Sequence, residues 1–238
     1  MSVTPSVQLP ISFETLLGWC RPVAPDRTFF RPFTCEGDIN NIGIFYVGFS
    51  PKNPIPEVTP LEEVAKSCYD YLKLKQLIGA SSTSRGRFEE LTRSLSISTG
   101  GASVLETNAY CYPGLDKDSA KQLPYQVEQK CRKILLDLFR LFHPRWVIIF
   151  GKEPVKRVSE VLSDAGMTAP FAKKWNRPDY GQSIVIDLAK ITLDGKPCRL
   201  IATRHPGDQV HGGHPYTPAL FESTAKQICD LIEMTKLR

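Results

Sequence analysis

Four short runs of β-branched and aromatic residues, spaced by segments of helical length, constrain this chain more than any other feature of it. The first, Ile42-Gly-Ile-Phe-Tyr-Val-Gly48, is almost continuously apolar, as a strand buried on both faces must be. Ser103-Val-Leu-Glu-Thr-Asn-Ala-Tyr110, Trp146-Val-Ile-Ile-Phe-Gly151 and Arg199-Leu-Ile-Ala-Thr-Arg204 share that character. Between them, residues 61–77, 85–95 and 153–164 carry apolar side chains at helical spacing. The clearest helix holds Val127, Cys131, Ile134, Leu135, Leu138, Leu141 and Phe142, and Pro144 stops it ahead of the third strand. A last helix covers 218–236, and Asp194-Gly195 predicts a hairpin joining 183–193 to 198–203. Strands and helices in this alternation predict a three-layer α/β/α sandwich around a mainly parallel, four-stranded central sheet.

Residues 1–238 read as one domain, with 1–38 an irregular N-terminal arm containing a short helix near Phe13 to Trp19. The chain is 42% hydrophobic and 23% charged, enough for one sizeable core. It has no run of about 18 apolar residues, and its start lacks the basic-then-apolar order of a signal peptide. A cytoplasmic monomer without a membrane partner is therefore expected. Seven cysteines with no CxxC pair argue against a disulfide framework and against a zinc ribbon. Thirty Lys and Arg against 25 Asp and Glu leave a net charge of +5, which permits a polyanionic partner without requiring one.

Ligands of parallel sheets sit beyond the carboxyl ends of the strands, so the residues closing each run are where chemistry is expected. Gly48-Phe-Ser-Pro51 makes a rigid turn whose amides can face a ligand. Asn108 offers a donor and an acceptor, the pair needed to read the edge of a nucleobase. His205, followed by Pro206, can donate to an oxygen that gains negative charge as a bond breaks.

In their order along the chain, Gly-x-x-Pro, Thr107-Asn108, Gly151 and His205-Pro206 resemble the motifs of the uracil-DNA glycosylase superfamily. The likeness spans about Ile42 to His205. It includes Ser84-Arg-Gly-Arg-Phe88 and Leu141-Phe-His-Pro-Arg-Trp-Val-Ile-Ile-Phe-Gly151. The resemblance implies a DNA glycosylase that flips out and hydrolytically excises a damaged or modified base. That base would be uracil or a modified pyrimidine such as a hypermodified cytosine of viral DNA, removed in repair or antiviral defence. It assigns Gly48, Phe49, Ser50 and Pro51 to the loop that contacts the base and positions water, Asn108 to base recognition, and His205 to the departing base anion. Gly207, Asp208, Gln209, Val210 and His211 would lie in the loop that enters the duplex, with Lys52, Lys152 and Arg204 near phosphates.

Two departures qualify the match. Where better-known families carry Asp or Asn in the first motif, this chain has Ser50, leaving Asn53 as the nearest carboxamide. Either Asn53 holds the water, or the leaving group needs less help, or the preferred base is not uracil. Loss of turnover with DNA binding retained is the alternative reading. Cys111 and Cys131 match the later ligands of iron–sulfur members, yet the upstream CxxC is missing and Cys20 and Cys35 are the upstream candidates. On spacing alone, neither a metal nor any other cofactor is expected. A hydrolase using Cys111 or Ser50 as nucleophile is disfavoured, since no G-x-S-x-G elbow is present.

Overall fold

The computed structural model describes residues 11–79, 85–167, 185–205, 210–211, 214–215 and 217–236. Six strands form one sheet: β1 (Phe33–Glu36), β2 (Ile42–Gly48), β3 (Ser103–Asn108), β4 (Trp146–Phe150), β5 (Val185–Leu193) and β6 (Lys196–Thr203), in the order β1-β3-β2-β4-β6-β5. The four strands legible as apolar runs are its centre, because β3, β2, β4 and β6 run parallel to their neighbours. Antiparallel β1 and β5 close the two edges. The sheet is thus six-stranded and mixed, and the expected four-stranded sheet is corrected. The predicted hairpin supplies β5, turning at Asp194 and Gly195, both with positive φ.

β1 also corrects the N-terminal arm. Phe33 and Cys35 are buried, as are Leu16 and Cys20 of the first helix, α1 (Phe13–Cys20), so the segment packs onto the core through these side chains. Only four residues pair in β1, too few to show a period. The segment 61–77 forms two helices, α2 (Leu61–Ser67) and α3 (Tyr71–Ile78). Asp70 separates them by accepting the Lys73 amide as the α3 N-cap. The remaining helices are α4 (Arg85–Thr99), α5 (Lys117–Lys121), α6 (Tyr125–Phe142), α7 (Lys152–Asp164) and α8 (Pro218–Lys236). Among the described residues no helix is long and apolar enough to cross a membrane.

Strand alternation divides the interior in two. Phe45 and Val47 join Leu105, Val147, Ile149 and Leu200 beneath α1, α2, α6 and α7. Ile44 and Tyr46 face the other way, joining Val104, Ile148, Phe150 and Ile201 beneath α4 and α8. Both faces of the sheet are therefore sealed by helices, which leaves its carboxyl-end rim as the place where polar groups gather. A two-strand ribbon, β7 (Val210–His211) with β8 (His214–Pro215), follows β6.

Candidate functional site at the carboxyl rim of the sheet

Register sets the rim. Gly48 lies beside Asn108, Val47 beside Ile149, and Phe150 beside Thr203, so four strand ends finish at one level. Asn108 and Thr203 stand three strand spacings apart, about 14 Å, and His205 follows two residues beyond Thr203. By alternation Asn108 shares the face of Val104, which is the face of Tyr46, Phe150 and α4.

His205 reaches that same face. Its imidazole packs edge-on against Phe88 of α4, with centroids 5.5 Å apart, and against Phe150 at 6.0 Å. Phe88 and Phe150 meet each other at 5.2 Å, and Tyr46 lies 5.7 and 5.4 Å from them. An aromatic floor thus lies between the carboxamide and the imidazole. Both polar residues are half-buried, so each keeps an outlet toward the rim. The Tyr46 hydroxyl accepts from Thr92 Oγ1 at 3.3 Å, and burial pushes its pKa well up, so it stays neutral.

Asn108 is held in place by an absence. A Cβ at position 48 would stand 2.7 Å from Asn108 Oδ1, so the carboxamide lies against bare glycine backbone. Two residues earlier, Glu106 accepts from Arg85 Nη1 at 2.7 Å. Arg85 also contacts Glu89 at 3.1 Å and lies 3.7 Å over the Tyr71 ring, tying α3, α4 and β3 together below the rim. Phe88 and Arg85 were not singled out as site residues from sequence. The signal available was their place at the start of a helix within Ser84-Arg-Gly-Arg-Phe88, of which Ser84 lies outside the described residues.

The first-motif loop is zipped onto the loop after β3. Gly48, Phe49 and Pro51 carbonyls accept from the amides of Ala109, Tyr110 and Gly114 at 2.8, 2.9 and 2.8 Å. Phe49 packs edge-on against Tyr110 at 5.4 Å, and Arg157 lies 4.7 Å over the other ring of that pair, Tyr110. Ser50 donates to the Tyr112 carbonyl at 2.8 Å and accepts from the Leu115 amide at 3.2 Å. Its hydroxyl is therefore committed to joining two loops. Asn53 sits further along, half-buried, with its backbone carbonyl accepting from Arg31 Nη1 at 2.9 Å. Burial lowers the Arg31 pKa.

The expected cations divide. Lys52 and Lys152 are exposed, whereas Arg204 is only 8% exposed and is part of the interior. Gly207, Asp208 and Gln209 lie outside the described residues, as do the side chains of Val210 and His211, whose backbones form β7.

The cysteines regroup. Cys111 Sγ is 3.7 Å from Cys131 Sγ, while Cys20 Sγ is 3.9 Å from Cys68 Sγ. Cys35 meets Cys68 through its backbone, its amide donating to the Cys68 carbonyl at 2.9 Å. Cys68, rather than Cys35, is thus the upstream partner of Cys20. Among the described residues no three His, Cys, Asp or Glu side chains gather tightly enough for a single metal ion. No protein-family model matches the chain, and no curated protein matches it.

Proposed function

We propose that this protein is a DNA glycosylase that everts a damaged or modified base and hydrolyses the bond joining it to deoxyribose, serving repair or defence against foreign DNA. The observation that carries the reading is the arrival of Asn108 and His205 on the same face of one rim, across an aromatic floor. A flipped base needs a flat apolar surface, a partner for its hydrogen-bonding edge and a donor for the oxygen that becomes anionic. Half-buried Phe88, braced edge-on by buried Phe150, supplies the first, Asn108 the second and His205 the third. The glycosidic bond breaks through a cation-like sugar and an anionic base, so a positioned donor contributes more than a strong nucleophile.

Water positioning falls to Asn53, since Ser50 is spent on Tyr112 and Leu115. Lys52 and Lys152, both exposed, are the phosphate contacts of this reading, and Arg204 is removed from that role by its burial. Cys111 and Ser50 are unsuited to nucleophilic hydrolysis, one buried and the other bonded on both sides.

The committed Ser50 hydroxyl favours one second reading, a DNA-binding protein of this architecture without turnover. Oligonucleotides bearing uracil, hypoxanthine, hydroxymethylcytosine or its glucosylated form separate the two. Alkali-sensitive breaks at one of these bases are expected of the glycosylase. A shifted band in a gel with no breaks at any base would replace it with the binder.

A further inference from the structure

Two buried side-chain oxygens among the described residues have no hydrogen-bond partner, the Tyr69 hydroxyl and Thr203 Oγ1. Tyr69 packs against the layer beneath α1, α2, α6 and α7, away from Asn108 and His205. Thr203 lies elsewhere. It is the last residue of β6, 1% exposed, at the level where the central strands finish. Leu200 and Ala202 enter the same layer as Tyr69 while Ile201 enters the other, so Thr203 faces the side of Asn108 and the aromatic floor. Its strand partners are Phe150 on β4 and Val185 on β5.

His205 follows two residues later and reaches that side as well. Its ring lies 6.0 Å from Phe150, the residue paired with Thr203. Two residues of extended chain span about 7 Å, and the Thr203 hydroxyl makes no direct bond to the imidazole. One water bridges such a gap between two polar groups. The hydroxyl is also presented from a fixed place. The Thr203 carbonyl accepts from the Gly151 amide at 2.8 Å, which pins the backbone, and a β-branched side chain has few choices at χ1.

A hydroxyl buried without a partner destabilises a fold. Valine has the same shape, suits a strand equally and carries no such cost. Packing alone would therefore be served by valine, and the oxygen needs another reason to be there. The imidazole two residues on supplies one. A neutral ring donates from one nitrogen only, and the partner of its second nitrogen decides which.

We infer that Thr203 is a positioning residue for His205: through one ordered water its hydroxyl holds the ring nitrogen turned away from the base, leaving the other to donate to the base oxygen. The catalytic meaning of this contact rests on the glycosylase reading. The contact itself does not.

The test compares Thr203→Val and Thr203→Ser with wild type by unfolding, DNA affinity, single-turnover excision and the ring-nitrogen NMR signals of His205, assigned by their loss in His205→Gln. Thr203→Val should unfold at a midpoint no lower than wild type and bind DNA equally, yet excise more slowly by about tenfold or more. Its His205 signals should shift as the two ring protonation forms mix. Thr203→Ser, which keeps the hydroxyl, should restore both the rate and the signals. Imidazole signals in Thr203→Val identical to those of wild type would overturn the inference, as would excision at the wild-type rate. A markedly lower unfolding midpoint for Thr203→Val would assign the hydroxyl to the fold and overturn it too. If wild type excises no base, the glycosylase reading falls, and the ring-nitrogen signals still decide whether Thr203 holds His205.

Discussion

Asn108 and Cys111 are three residues apart, yet they serve opposite sides of one sheet. Asn108 turns to the rim beside bare Gly48, half-buried, in line with Phe88, Phe150 and His205. Cys111 turns into a sealed layer with Cys131, in the same apolar core as Phe45 and Phe139. The difference teaches that one strand exit can present polar chemistry on one side and be anchored from behind on the other. The rim should therefore tolerate substitution in stability and lose function, while the sealed side should do the reverse.

The largest expected effect tests the sealed side. Phe45 is fully buried and contacts the rings of Phe139 and Phe142 at 5.5 and 6.0 Å. Phe45→Ala should lower stability by about 3–5 kcal/mol in denaturant unfolding. A loss below about 1 kcal/mol would show that this layer is not the tightly packed one described. On the rim, Gly48→Ala pushes a methyl group against Asn108 Oδ1, and the carboxamide must move. About a tenfold or greater drop in base excision is expected, the scale of roughly 1.4 kcal/mol in the barrier, with an unfolding midpoint close to wild type. Unchanged excision would mean that the Asn108 position does not matter.

Ser50 sits where the two regions meet. Ser50→Ala strands the Leu115 amide and should cost about 1 kcal/mol of stability, while excision falls by less than about fivefold if Asn53 holds the water. A hundredfold fall in excision would return the water to Ser50. The smallest effect is a pH dependence at Asp26, which accepts from the Tyr112 hydroxyl and the Thr28 amide. Partial burial acts to raise that carboxyl, and these hydrogen bonds outweigh it, so its pKa lies below the usual value. A depressed folded-state pKa stabilises above the unfolded value of about 3.9 and is lost as pH falls through the folded one. The stability gap between wild type and Asp26→Asn should therefore be constant near neutrality and close below about pH 4.

What could be read in the sequence was local. The two innermost strands, β2 and β4, announce themselves because a strand buried on both faces must be apolar, as Ile44 to Val47 and Val147 to Phe150 are. Asn108 and His205 stood out because they close such runs. β1 was invisible for the opposite reason, being four residues with one buried edge and no period. The break between α2 and α3 carried a usable signal in Asp70, an N-cap residue inside an apolar-periodic segment. The role of Ser50 could not be read, because its partners Tyr112 and Leu115 lie more than 60 residues away. The Cys20–Cys68 pairing is hidden for the same reason, 48 residues apart in sequence and brought together only where α1 meets α2.

The most direct measurement is single-turnover excision by wild type, Asn108→Ala and His205→Ala on the modified-oligonucleotide panel, with DNA affinity and unfolding measured alongside. We expect at least one base to yield an abasic site with wild type, and each variant to be slower by about a hundredfold or more while still folding and binding DNA. Excision by both variants at the wild-type rate, or no abasic product from any base with the wild type, would contradict the account.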